Sequence, residues 1–143
     1  MDKTNVKVYF SAAADEFPID DFTETLGIQP TRTYKKGDAI IRPHNPNVIS
    51  TGVYHRLHSC WELGTEYEES CDINDQLYKI LNYMEDKIGK LTQLKREYDL
   101  VYKFIIVIQV ENNETPAMYL ESKFINFASS IDAEVDFDLY IYS

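Results

Sequence analysis

Between residues 100 and 111 the chain is apolar on both faces that a strand would present. Tyr102, Phe104, Ile106, Ile108 and Val110 fall on one, and Val101, Ile105 and Val107 on the other. Side chains of a strand alternate between the two faces of a sheet, so a run with no polar side belongs inside the sheet, with neighbours on both edges. The segment predicts a central strand, and the rest of the fold has to be built outward from it.

Three further segments read as strands. Residues 6–11 set Val6, Val8 and Phe10 against Lys7 and Tyr9, and 134–142 set Val135, Phe137, Leu139 and Ile141 against Glu134, Asp136, Asp138, Tyr140 and Tyr142. Each has one buried face. Residues 54–63 place Leu57, Trp61 and Leu63 opposite Arg56, His58, Cys60 and Glu62. Helical spacing is clearest in Ile73, Leu77, Ile80, Leu81, Met84 and Ile88, with Asp72 as cap and Gly89 as stop or break. Leu91 and Leu94 suggest further turns. A short helix over 20–26 follows Pro18 and closes at Gly27, and another starts near Ser122 and carries Phe124, Ile125, Phe127, Ala128 and Ile131. Residues 29–53 contain Pro30, Pro43, Pro46, Gly37 and Gly52 and read as a long surface loop, with short strand character near 31–35.

Two strand–helix–strand units joined by a central helix predict one α+β domain over 1–143. It is expected to be a two-layer antiparallel sheet with helices, ferredoxin-like with an added central helix over 72–88. The first and third strands would be central and the second and fourth edges; the central helix could also cover the opposite sheet face. With 143 residues, 44% of them hydrophobic, the chain needs no disulfide or metal to build a core.

Composition narrows the function. A net charge of −10 opposes binding to phosphate backbones, so no nucleic-acid partner is expected and a basic protein fits better. No apolar run approaches the ~18 residues of a membrane span, and residues 1–5 carry no basic start of a signal peptide. Cys60 and Cys71 suit reduced thiols. The expectation is a cytoplasmic protein with no membrane partner.

Charge is also segregated. Residues 31–60 hold Arg32, Lys35, Lys36, Arg42 and Arg56 against Asp38, a balance of +4, together with all three histidines, His44, His55 and His58; the remainder carries −14. Such a map orients approach to a partner, although a solvated loop on an acidic protein would look the same. His58 and Cys60, two apart, would project to one side of a strand, as a nucleophile and its base would. No orienting third group accompanies them, and a half-buried cysteine more often packs. His55, His58, Cys60 and Cys71 are zinc-type ligands, but their spacing matches no familiar module, and His55 and His58 would face oppositely. No metal is expected. Lys36-Gly37-Asp38 lacks the glycine spacing of a phosphate loop, so no cofactor is expected either. Glu134, Asp136 and Asp138 could hold a cation, act as acid and base, or keep an edge strand from pairing. Beside Tyr140 and Tyr142 they also make a contact surface.

The run Leu26-Gly27-Ile28-Gln29-Pro30-Thr31, then Lys36-Gly37-Asp38, Trp61-Glu62-Leu63 and Asp136-Phe137-Asp138-Leu139-Tyr140, resembles in order and spacing the bacterial family of domain of unknown function 4279, over nearly the whole chain. The resemblance implies no activity and no catalytic residue. Some relatives look like immunity proteins encoded beside secreted toxins, which implies an inhibitor.

The leading expectation is therefore a non-enzymatic macromolecule-binding protein, an immunity-type inhibitor masking a basic toxin, with Asp136, Asp138, Tyr140 and Tyr142 as the partner-binding residues. The alternative is a small-anion-binding protein or enzyme using a pocket between the 29–53 loop and the 54–63 strand, lined by Arg32, Lys36, Arg56, His58 and Cys60.

Overall fold

In the computed structural model, which describes residues 3–40 and 54–142, the doubly apolar segment is β5 (Val101–Val110). It lies between β1 (Asn5–Ala14), antiparallel to it, and β6 (Ala133–Ile141), parallel to it. Beyond β1 come β3 (Ser59–Gly64) and then the short β2 (Arg32–Tyr34), giving the order β2-β3-β1-β5-β6. A two-residue β4 (Glu68–Glu69) also pairs with β1. From β2 to β5 every neighbouring pair is antiparallel.

The helices are α1 (Ile19–Leu26), α2 (Ile73–Met84), α3 (Ile88–Tyr98) and α4 (Ser122–Ser130). Their apolar stripes join one core with Val6, Val8, Phe10 and Ala12 of β1, Trp61 and Leu63 of β3 and the even-numbered side chains of β5. The central helix thus shares a face with the others, and the opposite sheet face carries no helix among the described residues. Trp61 anchors the core: its ring meets Phe10 and Phe22, and its Nε1 donates to Thr23 Oγ1 at 3.0 Å. Tyr102 is buried and donates its hydroxyl proton to the Leu91 carbonyl at 2.7 Å.

Local signals explain the boundaries. Gly27 takes φ 77° and donates to the Thr23 carbonyl, closing α1 in a conformation that costs glycine least. Asp72 caps α2 by accepting from the Asn74 amide at 2.9 Å.

The α+β class stands, with three corrections of detail. The sheet is mixed, because the connection through α4 brings β6 back parallel to β5. The second predicted strand starts only at Ser59 and is not an edge, since β2 covers it. The chain before it is diverted: the Arg56 amide donates to the Asp38 carbonyl and the Gly37 amide to that of Arg56, so 54–58 pairs with a turn, and Leu57 is 82% exposed. The expected 29–53 loop includes β2; its remainder over 41–53, with Arg42 and His44, lies outside the described residues.

Candidate functional site

With the helices on one side, the alternate side chains of the sheet form an open surface, and the register places them in rows. Arg32, Glu62, Ser11, Lys103 and Glu134 make one row, and Gly64, Tyr9, Ile105 and Asp136 the next. Lys7, Val107 and Asp138 form a third, and Tyr34, Cys60 and Ala13 a fourth. Cations gather at the β2 end and carboxylates at the β6 end.

At the β2 end Tyr34 is the hub. The Arg56 guanidinium lies 4.1 Å from its ring centroid and that of Arg32 5.7 Å, while its hydroxyl and His58 Nε2 share a hydrogen bond of 3.3 Å. Cys60 lies opposite Tyr34 in the register, 2% exposed, its Sγ in a 3.1 Å hydrogen bond with the Ser11 hydroxyl. Burial pushes the Cys60 thiol above its ordinary value, against the hydrogen bond from Ser11, and the Glu62 charge adds to the rise. Burial, then the neighbouring Cys60, pushes the Tyr34 phenol up to about 12. Both groups hold their protons at neutral pH, so neither is a ready nucleophile.

Of the five residues expected around an anion pocket, Arg32, Arg56 and His58 therefore meet on Tyr34, with Cys60 beneath. Lys36 turns away to an ion pair with Asp15 at 3.0 Å, which raises its pKa. His58 and Cys60 do not share a strand face, because His58 precedes β3, and they do not form a nucleophile–base pair: His58 bonds the Tyr34 hydroxyl and Cys60 bonds Ser11. The zinc-type set is likewise dispersed, with Cys60 buried and Cys71 exposed; among the described residues no three His, Cys, Asp or Glu side chains group to hold a metal ion. The far wall of the expected pocket, over 41–53, lies outside the described residues. Separately, a cleft of about 780 Å³ runs between Gly27–Gln29, the β3–β4 turn and α2, with Lys79 ion-paired to Glu68 beside it.

At the other end β6 brings Asp136, Asp138 and Tyr140 onto the open face, and Tyr142 comes directly after the strand. Lys103 sits 3.7 Å from both Glu134 and Asp136, and the Tyr140 hydroxyl donates to Asp138 at 3.1 Å, which raises the Tyr140 pKa. Lys7 stands between the rings of Tyr9 and Tyr67, 5.7 and 5.5 Å from their centroids.

On the helix side of the same strand, α4 covers Ala133 and Val135 and stops short of the later apolar residues. Phe137 is 43% exposed, Leu139 46% and Ile141 68%. No strand among the described residues pairs with the outer edge of β6. The Tyr142 amide donates to the Val110 carbonyl at 2.9 Å, which fixes the phase. Even-numbered residues turn their peptide groups to β5, while Val135, Phe137, Leu139 and Ile141 present N–H and C=O outward.

Sequence parity found the acids and tyrosines of β6 but not Tyr34, Lys103 or the exposed apolar row. The signal for Tyr34 was present in Arg32-Thr33-Tyr34, whose alternation matches a short edge strand.

A family model described as a domain of unknown function, DUF4279, matches residues 4–142. No curated protein and no solved structure matches the chain. Among the described residues no helix is long and apolar enough to cross a membrane.

Proposed function

We propose, from the premise that the chain belongs to the DUF4279 family, that it is a non-enzymatic cytoplasmic protein that docks a basic macromolecule, in the form of an inhibitor masking a basic protein toxin. The observation carrying this reading is β6: a row of Glu134, Asp136 and Asp138 with Tyr140 and Tyr142 on one side, and exposed Phe137, Leu139 and Ile141 on the other. Apolar and phenolic area supplies contact, and the carboxylates choose a cationic partner and speed its approach. At the β2 end the buried, protonated thiol supports binding rather than catalysis.

The test is a quantitative pull-down from host lysate with the wild-type chain and with a D136K/D138K double variant. A basic protein retained by the first and lost from the second is expected. Capture that ignores the reversal, or that enriches only acidic proteins, refutes the reading. A second reading, a small-anion site, is favoured by the meeting of Arg32, Arg56 and His58 on Tyr34. Its check is a sulfate-dependent rise in melting temperature that disappears in Arg56→Ala.

A further inference from the structure

Most long edge strands are blunted by proline, lysine, a bulge or a covering loop, because their free peptide groups template pairing with another chain. β6 has none of the first two in its nine residues, pairs with β5 in unbroken register, and has no covering strand among the described residues. Among the described residues its guard is a row of acids, and that guard is selective by sign.

We infer that β6 accepts an added strand from its partner, one whose residues alternate basic and apolar; this rests on the docking reading and specifies its mode. The outward N–H and C=O groups of Val135, Phe137, Leu139 and Ile141 supply the ladder. Residues sharing a pair in a ladder share a face of the sheet. A partner residue bonded opposite Phe137 or Leu139 therefore continues the apolar row past the end of α4. Its neighbours along the strand fall beside Asp136 and Asp138 on the helix-free face, where lysine or arginine completes the row that Lys103 begins from the other side.

A second copy of the chain is opposed by the same charges. In the fully overlapping antiparallel register of two β6 strands, centred on Phe137, Asp136 of each copy would face Asp138 of the other, and like charges facing each other across a ladder are destabilising. The occupant is a strand of opposite sign, as in peptide recognition by strand addition, where main-chain bonds give affinity and alternate side chains give specificity.

Amide hydrogen exchange by NMR tests this, with an acetylated and amidated heptapeptide alternating lysine and valine as the probe. The amides of Phe137, Leu139 and Ile141 should exchange at least about tenfold more slowly with the probe. Those of Asp136, Asp138 and Tyr140, already bonded to β5, should change little. A heptapeptide alternating glutamate and valine should protect none of them. Leu139→Pro removes an outward N–H that β5 does not use, a substitution an edge strand tolerates. It should abolish probe-induced protection at Phe137 and Ile141, whereas Leu139→Ala retains it. Shifts of the Asp136 and Asp138 carboxylates without protection of the odd-numbered amides would overturn strand addition and leave the docking reading standing. Failure of docking itself is read independently, in the pull-down. Odd-numbered amides already protected in the free protein, together with a dimer in sedimentation, would assign the edge to a second copy and overturn the inference.

Discussion

Alkylation of the two cysteines separates a binding surface from a catalytic pocket, and the structure sets the ratio to expect. Cys71 is exposed, so it should react as a free thiol does. Among the described residues Cys60 lies beneath Tyr34 and against Ser11, and lifting β2 from β3 uncovers it. That movement breaks the ladder from Arg32–Glu62 to Tyr34–Cys60, the Thr31 amide bond to the Glu62 carbonyl at 2.8 Å and the Lys36 amide bond to Ser59 Oγ at 3.1 Å. About three net hydrogen bonds at ~1 kcal/mol each, with the partial burial of Tyr34, put the opening at roughly 3–4 kcal/mol. The open form is then populated about once in 10²–10³, and iodoacetamide should modify Cys60 about 10²–10³ times more slowly than Cys71, followed by peptide mass spectrometry at one pH. Tyr34→Ala should accelerate Cys60 and leave Cys71 unchanged, because it removes the cover without touching the second site. If Cys60 reacts within about threefold of Cys71, the sulfur is open to solvent and a nucleophile there is again possible.

Three other perturbations test separate parts of the reasoning. In Gly64→Ala the new Cβ would stand 2.6 Å from Tyr9 Cβ and 3.2 Å from the Val8 carbonyl, atoms fixed by the β1–β3 ladder; a loss of about 1–3 kcal/mol and a melting temperature lower by roughly 3–10 °C should appear in calorimetry. Because Tyr34 keeps its proton up to about 12 in the folded protein but ionises near 10.0 when unfolded, the unfolded state binds fewer protons above 10.0 and stability falls as pH rises from there. Denaturation across that range should show a smaller decline in Tyr34→Phe than in wild type; equal declines would contradict the burial argument. Asp72→Ala removes the acceptor for the Asn74 amide and should cost about 1 kcal/mol in denaturant unfolding, with the m-value unchanged.

The parts of the fold legible in the sequence are those whose periodicity is long enough to outvote local exceptions. The doubly apolar 100–111 segment became β5, the central stripe formed α2 from Ile73 as far as Met84, short of the expected 88, and Gly27 and Asp72 mark the helix ends expected of them. The strand predicted over 54–63 shows the limit. Leu57 has the right parity to join Trp61 and Leu63, yet parity carries no information about which partner claims the backbone, and here the Gly37–Asp38 turn takes residue 56. Gly89, expected to stop the central helix, lies inside α3; the break comes before it, between Met84 and Ile88.

The exposed row on β6 was hidden for a reason of length. Alternation marks Phe137, Leu139 and Ile141 as a buried face, and they do point to the helix layer. Nine residues of helix, however, extend only ~13 Å, whereas nine residues of strand extend ~30 Å. α4 therefore runs out after Val135, and the rest of the apolar row has nothing above it among the described residues. Sequence gives the period of each element, but covering is a comparison of two lengths in space.

That mismatch also distinguishes the two edges of the sheet. β2 ends one side with three residues, flanked by the Arg32–Glu62 pair and by Arg56 over Tyr34, so little free ladder is left there and what remains is cationic. β6 ends the other with nine residues, apolar on one side and acidic on the other. Solubility alone would be served by polar residues on both sides of such a strand, and acids alone would suffice against self-pairing. An apolar row left in water adds nothing to the core, since burial is what makes apolar area stabilising. In the strand addition proposed above it contributes once another strand lies beside it, and the carboxylates across the same backbone then decide the sign of that strand.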